Sequence, residues 1–284
     1  MKIALASCVG NLKAATVDTA LVASLTKLGH DVSSPAWNSV DILWHRFDAV
    51  VVRTTWDWYQ DPGLFRSWIA RVAMRTTLLN PPMTLQWGLD KLHLLDLAAA
   101  GVPVIPTLSM NTADVERVQQ WAKYHGYQKL VLKPSLSAGA IGIEVIETAA
   151  LNDRLPMNWP AYGVRLVQPY FKSIETIGEL SIIMINGAVS HAVCKRPKSG
   201  DFRIQSEWGG RNIGMDPPAS AVAVATAACA AMPGALLYAR IDLVTDADGQ
   251  YRVIEVEVVE PDLFFPQYPE AAETLAKAIT SRLA

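Results

Sequence analysis

The first 80 residues alternate between short apolar runs and amphipathic stretches. Apolar runs at Lys2–Ser7 and Ala49–Arg53 predict strands, and the spacing of apolar positions over Thr16–Leu28 and Leu64–Arg75 predicts helices. Alternation of strands with helices is typical of a small open sheet with parallel strands. The sequence therefore predicts an N-terminal α/β domain over residues 1–84.

Two further units follow. A helical pattern over Gln86–Ala100, ended by Gly101, opens a central unit over residues 85–168. Strand patterns dominate the third unit, residues 169–284. One uncharged stretch, from Pro217 to Ala239, is long enough to span a membrane, but it is dominated by alanine and interrupted by Pro-Gly. We therefore expect a buried helix there and no membrane partner.

Composition narrows the possible functions. The chain is 51% hydrophobic with a formal net charge of −2, which argues against disorder and against nucleic-acid binding, since the latter requires a basic surface. Its cysteines, Cys8, Cys194 and Cys229, are widely spaced, so we expect neither a disulfide framework nor a zinc site, and a cytoplasmic protein. His191 alternates out of phase with Cys194, and both are expected to be structural.

Acidic residues converge on the last two predicted strands. Strand alternation puts Arg240 and Asp242 on one face, and Glu255 and Glu257 on one face of the following strand. Three carboxylates backed by apolar residues repel one another unless a cation lies among them. Such hard oxygen ligands suit Mg²⁺ or Mn²⁺, with substrate phosphates as further ligands. The alternative is a solvated face with Arg240 and Arg252 as partners.

A loop of small residues suggests a phosphate site, although the sequence contains no P-loop and no Rossmann glycine motif. A predicted strand ends at Lys133 and continues into a loop that contains Ser137, Gly139 and Gly142. Backbone N–H groups of such a loop can approach phosphates closely, and Lys133 would add a point charge. A glycine-rich hairpin with a surface lysine is the alternative.

A possible adenine site follows at the next strand. The strand runs into an apolar linker, which is how an adenine can be held between two domains. Glu175, a few residues later, is a candidate for binding the ribose hydroxyls, and the sequence does not separate its role from that of Glu179. The linker candidates are Gln168, Pro169, Tyr170 and Phe171.

The substrate candidates begin at Arg53, at the carboxyl end of a predicted parallel strand, where open α/β sheets present ligand-binding groups. Its guanidinium suits a substrate carboxylate, with Thr54 and Asp57 available for an amino or hydroxyl group. An Arg53–Asp57 ion pair is the alternative. Glu260 is a candidate either for a substrate amine or for a cap of its own loop. Trp56 and Trp208 are candidate pocket walls.

Together these motifs resemble the ATP-grasp superfamily, in the branch of glutathione synthetase and the RimK-type ligases. They cover nearly the whole chain in the family's order, from Lys91 and Lys133 through the Gln168–Phe171 linker to the acids. Family members often carry Asn at the last metal position, where this chain has Glu257. Four further sequence segments are most similar to the O-ureido-serine cyclo-ligases of cycloserine biosynthesis: residues 53–57, 190–195, 200–205 and 255–261.

The resemblance implies an ATP-grasp fold, α/β overall and α+β in the ATP-binding part, behind an N-terminal parallel-sheet pre-ATP-grasp domain. It implies ATP and Mg²⁺ (or Mn²⁺) as cofactors, with Lys91 among the ATP-binding residues. A homodimer is also implied. Candidate catalytic groups on the transferring phosphate and the acylphosphate are Arg203, Arg240 and Lys195.

The implied reaction is activation of a small amino-acid-like carboxylate as an acylphosphate, which an amine attacks with release of ADP and phosphate. In a cyclo-ligase the amine belongs to the same molecule, and a cycloserine-type ring forms. The alternatives are a dipeptide or amino-acid ligase, a phosphotransferase without ligation, and a nucleotide-binding protein without turnover. The presence of both lysines and all three acids argues against the last alternative.

Overall fold

The computed structural model describes residues 1–10, 16–157, 163–198 and 209–284. The described chain forms three sheets, one parallel and two antiparallel, with helices packed against them. This confirms the α/β class and the N-terminal parallel sheet that the sequence predicts. The sheets lie within residues 2–79, 108–169 and 179–257, and the domain boundaries between them stay a prediction.

The N-terminal sheet consists of four parallel strands in the order β2-β1-β3-β4. All six residues of β3 are buried, as expected for a parallel strand covered on both faces. The sheet contains β1 (Lys2–Ser7), β2 (Asp31–Ser33), β3 (Ala49–Thr54) and β4 (Thr77–Leu79), with helices α1 (Thr19–Lys27) and α2 (Pro62–Ala73) and 3-10 turns at Trp44–Arg46 and Trp58–Gln60.

The expected single helix over Gln86–Ala100 is wrong. Two short helices, α3 (Pro82–Gly88) and α4 (His93–Ala99), occupy the region, and the chain turns between them. The backbone N–H of Lys91, within this turn, donates to the carbonyl of Ser135 at 2.9 Å. A continuous helix would direct that N–H to its own preceding turn, so this contact with the small-residue loop accompanies the break.

The central sheet is antiparallel and has the strand order β5-β8-β6-β7. Its apolar face packs against two helices through a core that includes Val118, Leu130 and Leu155. Helix α5 begins where Asp114 Oδ1 accepts a hydrogen bond from Arg117 N at 3.0 Å. The elements are β5 (Leu108–Met110), α5 (Val115–His125), β6 (Lys129–Pro134), β7 (Glu144–Glu147), a 3-10 turn (Thr148–Ala150), α6 (Leu151–Met157) and β8 (Arg165–Pro169).

The third sheet has five antiparallel strands in the order β11-β10-β9-β12-β13. The uncharged stretch forms the expected helix, α8 (Ala219–Ala231), but the expectation that this helix is buried is wrong. Only Ala221, Ala225 and Ala228 are buried, because one side of the helix packs on the sheet and the other side does not. None of the described helices is both long and apolar enough to cross a membrane. The elements are α7 (Ser173–Thr176), β9 (Glu179–Ile185), β10 (Ala188–Arg196), β11 (Arg211–Met215), α8 (Ala219–Ala231), β12 (Tyr238–Thr245), β13 (Tyr251–Glu257) and α9 (Pro269–Leu283).

Candidate active site

A cavity of about 760 Å³ is lined by residues of the central sheet, the third sheet and the segment that follows β3. This volume lies within the range of small-molecule sites. Its walls bring together residues separated by more than two thirds of the chain, such as Trp56 and Glu260. One cavity is therefore available to the residues predicted for the metal, the nucleotide and the substrate.

The three predicted metal-binding acids meet at this cavity. In the antiparallel β12–β13 pair, Asp242 lies opposite Glu255, and Arg240 lies opposite Glu257. One carboxylate oxygen from each acid lies within 4.8 Å of the others. Such a set of hard oxygen donors fits a divalent cation such as Mg²⁺ or Mn²⁺.

Asp242 is the most deeply buried member of this cluster. It accepts hydrogen bonds from Ser181 Oγ at 2.5 Å and from Arg240 Nη2 at 2.8 Å. Burial by itself would raise the pKa of Asp242, but the charges of Arg240 and Lys195 outweigh it and hold the pKa below its ordinary value. Asp242 is therefore ionised at neutral pH, as a metal ligand must be.

Lysines hold the opposite charge around the acids. Lys91 Nζ lies 3.2 Å from Glu255 Oε1 and also donates to the carbonyl of Ser137. Lys133 Nζ donates to Ile254 O at 3.1 Å, and burial lowers its pKa to about 8. Lys195 Nζ lies 3.2 Å from Asp242 Oδ2. All three lysines and Arg240 line the cavity, where their charges can meet phosphate groups.

The predicted nucleotide residues are only partly brought to the cavity. Ser137 and Gly139 of the small-residue loop line it, whereas Gly142 does not. All four linker residues, Gln168, Pro169, Tyr170 and Phe171, line it as well.

Of the two acids that follow the linker, only Glu179 lines the cavity. Glu175 is exposed and accepts a hydrogen bond from the Tyr170 hydroxyl at 2.6 Å. Glu179 is buried and paired with Lys195. Burial raises the pKa of Glu179, and the charge of Lys195 opposes that effect. Glu179, the first residue of β9, therefore lies at the cavity, whereas Glu175 does not, and which of the two acids meets a ribose stays a prediction.

The structure contradicts the prediction that Arg53 meets a substrate carboxylate, because Arg53 does not line the cavity. Its side chain is fully buried, and Nη2 lies 2.8 Å from Asp18 Oδ1, while Nη1 donates to Pro261 O at 3.2 Å. The partner is thus Asp18, not Asp57. A guanidinium held on both sides inside the core has no free edge for a substrate carboxylate.

The other substrate candidates divide in the same way. Thr54 is buried and donates to Ser7 Oγ at 2.7 Å, and Asp57 accepts from Trp37 Nε1 at 2.6 Å; neither lines the cavity. Trp56 and Glu260 do line it. Arg203 and Trp208 lie outside the described residues, whereas the other catalytic candidates, Lys195 and Arg240, line the cavity.

Glu260 is held by an aromatic partner that sequence reasoning did not single out. Trp58 Nε1 donates to Glu260 Oε1 at 2.5 Å, and Trp56 Nε1 donates to the Glu260 carbonyl at 3.1 Å. Burial raises the pKa of the Glu260 carboxyl. The Trp-x-Trp spacing shortly after Arg53 is the sequence feature that could have indicated this pair of donors.

Comparison with known proteins decides the family. Residues 3–80 match the family described as the N-terminal domain of D-cycloserine synthetase DcsG. Cycloserine biosynthesis protein DcsG of Streptomyces lavendulae is 30% identical over 265 residues, covering 87% of each chain. The chain belongs to the DcsG family.

Solved structures agree with this assignment. The crystal structure of D-cycloserine synthetase DcsG matches with a TM-score of 0.88 and 27% identity, covering 100% of both chains. ATP-grasp ligase PsnB, complexed with a phosphomimetic variant of minimal precursor, Mg and ADP, matches at a TM-score of 0.70 and 18% identity, covering 99% of this chain and 98% of that one. The DcsG family member described here therefore has the ATP-grasp fold and is an ATP-grasp ligase, as the sequence predicts.

Two further groups in the site carried little sequence signal. Ser181, on β9, lies opposite Asp242 of β12 and donates a hydrogen bond to its carboxylate. A serine in an apolar strand has no distinctive sequence pattern. His93 is buried, lines the cavity and stays neutral, because burial lowers its pKa to about 3. In this DcsG family member Ser181 holds one of the clustered acids and His93 forms part of the cavity wall, and sequence period and spacing specify neither role.

Proposed function

We propose that the protein is an ATP-dependent cyclo-ligase that forms a cycloserine-type ring from an O-ureido-D-serine-like substrate, with release of ADP and phosphate. One observation carries this proposal. Asp242, Glu255 and Glu257 meet three lysines and Arg240 in one cavity, in a chain 30% identical to a cycloserine biosynthesis protein. Such a site has the charges that phosphoryl transfer to a small carboxylate requires.

Asp242, Glu255 and Glu257 would hold Mg²⁺ or Mn²⁺, because their oxygens are hard ligands lying within 4.8 Å of one another. When bound, the ion supplies positive charge to the β- and γ-phosphate oxygens of ATP. The presence of Mg and ADP in the similar ligase PsnB supports this use of the acids. Glu257 stands where the wider family often has Asn. Burial raises its pKa to about 8, so it would add a negative charge to the donor set only when a bound cation displaces its proton.

The remaining ATP contacts follow from the cavity walls. Lys91 and Lys133 present ammonium groups beside the acids, and the loop through Ser137 and Gly139 offers backbone N–H groups. The Gln168–Phe171 linker provides the apolar slot for adenine. Glu179, on the wall beyond it, is our candidate for the ribose hydroxyls in place of Glu175.

Transfer of the γ-phosphoryl group to the substrate carboxylate would give an acylphosphate and ADP. The oxygen-bound ureido N–H of the same molecule would then attack the acyl carbon, with inorganic phosphate as the leaving group and loss of the nitrogen's proton. The product of this step is a five-membered cycloserine-type ring that keeps the carbamoyl group on its nitrogen. Arg240 and Lys195 are fixed donors for the charge that develops on the phosphoryl and acyl oxygens. Glu260 would bind the substrate amino group, with Trp56 as an apolar wall beside it. A homodimer and a cytoplasmic location stay predictions.

The test is Mg²⁺-dependent ADP release from ATP with O-ureido-D-serine alone, compared with pairs of small amino acids. Release with O-ureido-D-serine alone, together with a cyclised product in the mass spectrum, is expected. Release only with pairs would replace the cyclo-ligase by an intermolecular ligase. A stable phosphorylated product without ring closure would indicate a phosphotransferase.

A further inference from the structure

One wall of the cavity consists of irregular backbone. The segment Val258–Leu263, here called the wall segment, follows β13 directly and contains neither helix nor strand. Four of its residues line the cavity: Val258, Val259, Glu260 and Asp262. Irregular backbone with buried residues must place its carbonyl groups somewhere, because unpaired buried carbonyls are costly.

Every carbonyl of the wall segment lies at hydrogen-bond distance from a side chain of another element. Five of these carbonyls have a donor of their own. The carbonyls of residues 258, 260, 261, 262 and 263 accept, in order, from Asn80 Nδ2 (2.9 Å), Trp56 Nε1 (3.1 Å), Arg53 Nη1 (3.2 Å), Arg240 Nη1 (3.4 Å) and His191 Nε2 (2.9 Å). The carbonyl of residue 259 lies 3.0 Å from the Tyr238 hydroxyl, whose single hydrogen has a nearer acceptor in the carbonyl of Val52. The segment is thus fixed from outside by side chains rather than by a backbone ladder.

The donors come from two sides. Arg53, Trp56 and Asn80 belong to the N-terminal region, in β3 or directly after β3 and β4. Tyr238 and Arg240 lie on β12 of the third sheet, and His191 lies on β10 of the same sheet. The wall segment therefore spans the junction between the two regions, and neither region alone could set its position.

The hydrogen bond to the wall segment also fixes the tautomer of His191. A carbonyl can only accept, so the Nε2 that meets Leu263 O must carry the hydrogen, and Nδ1 is left to accept from Ser190 Oγ at 3.0 Å. Burial lowers the pKa of His191, which keeps the ring neutral. The residue predicted to be structural thus has a defined partner in the cavity wall.

We infer that the wall segment is already fixed in the free enzyme, and that Arg53, Asn80 and His191 are positioning residues that set the place of Glu260. The inference rests on the proposed function in one respect, the assignment of Glu260 to the substrate amino group. It also changes the role predicted for Arg53. That residue acts on the substrate through the Pro261 carbonyl and touches no ligand.

The test compares His191→Phe with His191→Gln. Phenylalanine keeps the ring packing on Tyr268, whose centroid lies 4.6 Å away, but lacks the donor, whereas glutamine can still donate to Leu263 O. Loss of one neutral hydrogen bond changes an equilibrium by about two- to ten-fold. We expect His191→Phe to raise the KM for O-ureido-D-serine by roughly that factor, with the KM for ATP unchanged and with recovery in His191→Gln.

Arg282→Met is the matched control. Arg282 donates to the carbonyls of Ala235 and Leu236, which do not line the cavity. This variant should lower the thermal midpoint without changing either KM. An equal rise of KM in Arg282→Met, or no recovery in His191→Gln, would mean that His191 only stabilises the fold, and the inference would fail.

A second measurement is independent of the substrate. Crystal structures of the free enzyme and of its complex with a non-hydrolysable ATP analogue should show the backbone of residues 258–263 in the same position, with higher B-factors there in His191→Phe than in His191→Gln. A wall segment displaced in the free enzyme, and ordered only when nucleotide is bound, would show a closing loop and overturn the inference. If the wild-type enzyme ignores O-ureido-D-serine while the segment is ordered in the free enzyme, the proposed function fails and the preformed wall stands.

Discussion

Arg240 Nη2 lies 2.5 Å from Glu257 Oε1 and 2.8 Å from Asp242 Oδ2, so one guanidinium bridges two of the three clustered acids. The third acid, Glu255, is paired with Lys91 instead. Each carboxylate therefore has a positive partner within the cavity wall. Arg252, the other partner considered from the sequence, pairs with Asp246 at the turn of the hairpin. The solvated-face alternative does not describe this cluster.

Glu255→Gln should reduce Mg²⁺-dependent ADP release by roughly 100-fold or more, because it removes one anionic ligand from the proposed metal site. Thermal unfolding should show an intact fold. Asp248→Asn, in the exposed turn of the same hairpin, is the matched control and should keep wild-type release. Near-normal turnover in Glu255→Gln would remove Glu255 from the site.

Nucleotide affinity should fall as pH rises above about 8, the pKa to which burial lowers Lys133. Phosphate groups favour the charged ammonium, so binding raises this pKa, and affinity is complete below the pKa of the free enzyme and declines above it. The decline should approach about ten-fold per pH unit, measured as the Kd for ADP by calorimetry. Lys133→Arg stays protonated and should show a flatter profile over pH 7 to 9; a flat profile in the wild type would contradict the prediction.

Glu179→Gln should weaken nucleotide binding by about ten-fold or more, because it removes a charged acceptor from the cavity wall. Glu175→Gln should change the affinity less than about two-fold, since Glu175 is exposed and faces Tyr170. Titration of ADP into both variants measures the difference. The reverse order of effects would restore the original assignment of Glu175.

Gly88→Ala should lower the free energy of unfolding by about 1–3 kcal/mol, because a Cβ there would lie 2.2 Å from Val258 Cγ2. Val258 begins the wall segment, so the KM for the amino-acid substrate should rise as well. In Gly63→Ala the new Cβ meets only Asp61 Oδ1, at 3.6 Å, and stability should change by less than about 1 kcal/mol. Denaturant unfolding of both variants provides the comparison. An equal free energy of unfolding in both variants would mean that the wall segment shifts to accommodate the added methyl group at little cost.

Local patterns were sufficient for much of the architecture. The apolar run of β3 and the helical conformation of α8 formed as predicted, because strand and helix periods are set by short-range backbone geometry. The burial expected for α8 was wrong, since burial depends on tertiary packing and only three of its residues reach the core. The same period placed Asp242, Glu255 and Glu257 together, since alternation along two paired strands fixes which side chains share a face. The helix predicted over Gln86–Ala100 failed where the Lys91 N–H bonds to the distant Ser135.

The sequence by itself determined the strands, the hairpin of acids and the small-residue loop, because each depends on residues close together in the chain. Only the tertiary structure decided that Arg53 pairs with Asp18 and holds Pro261, 208 residues away, and that Glu179 rather than Glu175 faces the cavity. The position of the wall segment was likewise decided only by the tertiary structure. Its carbonyls are held by side chains from two sheets, and no local period encodes how those sheets pack against each other.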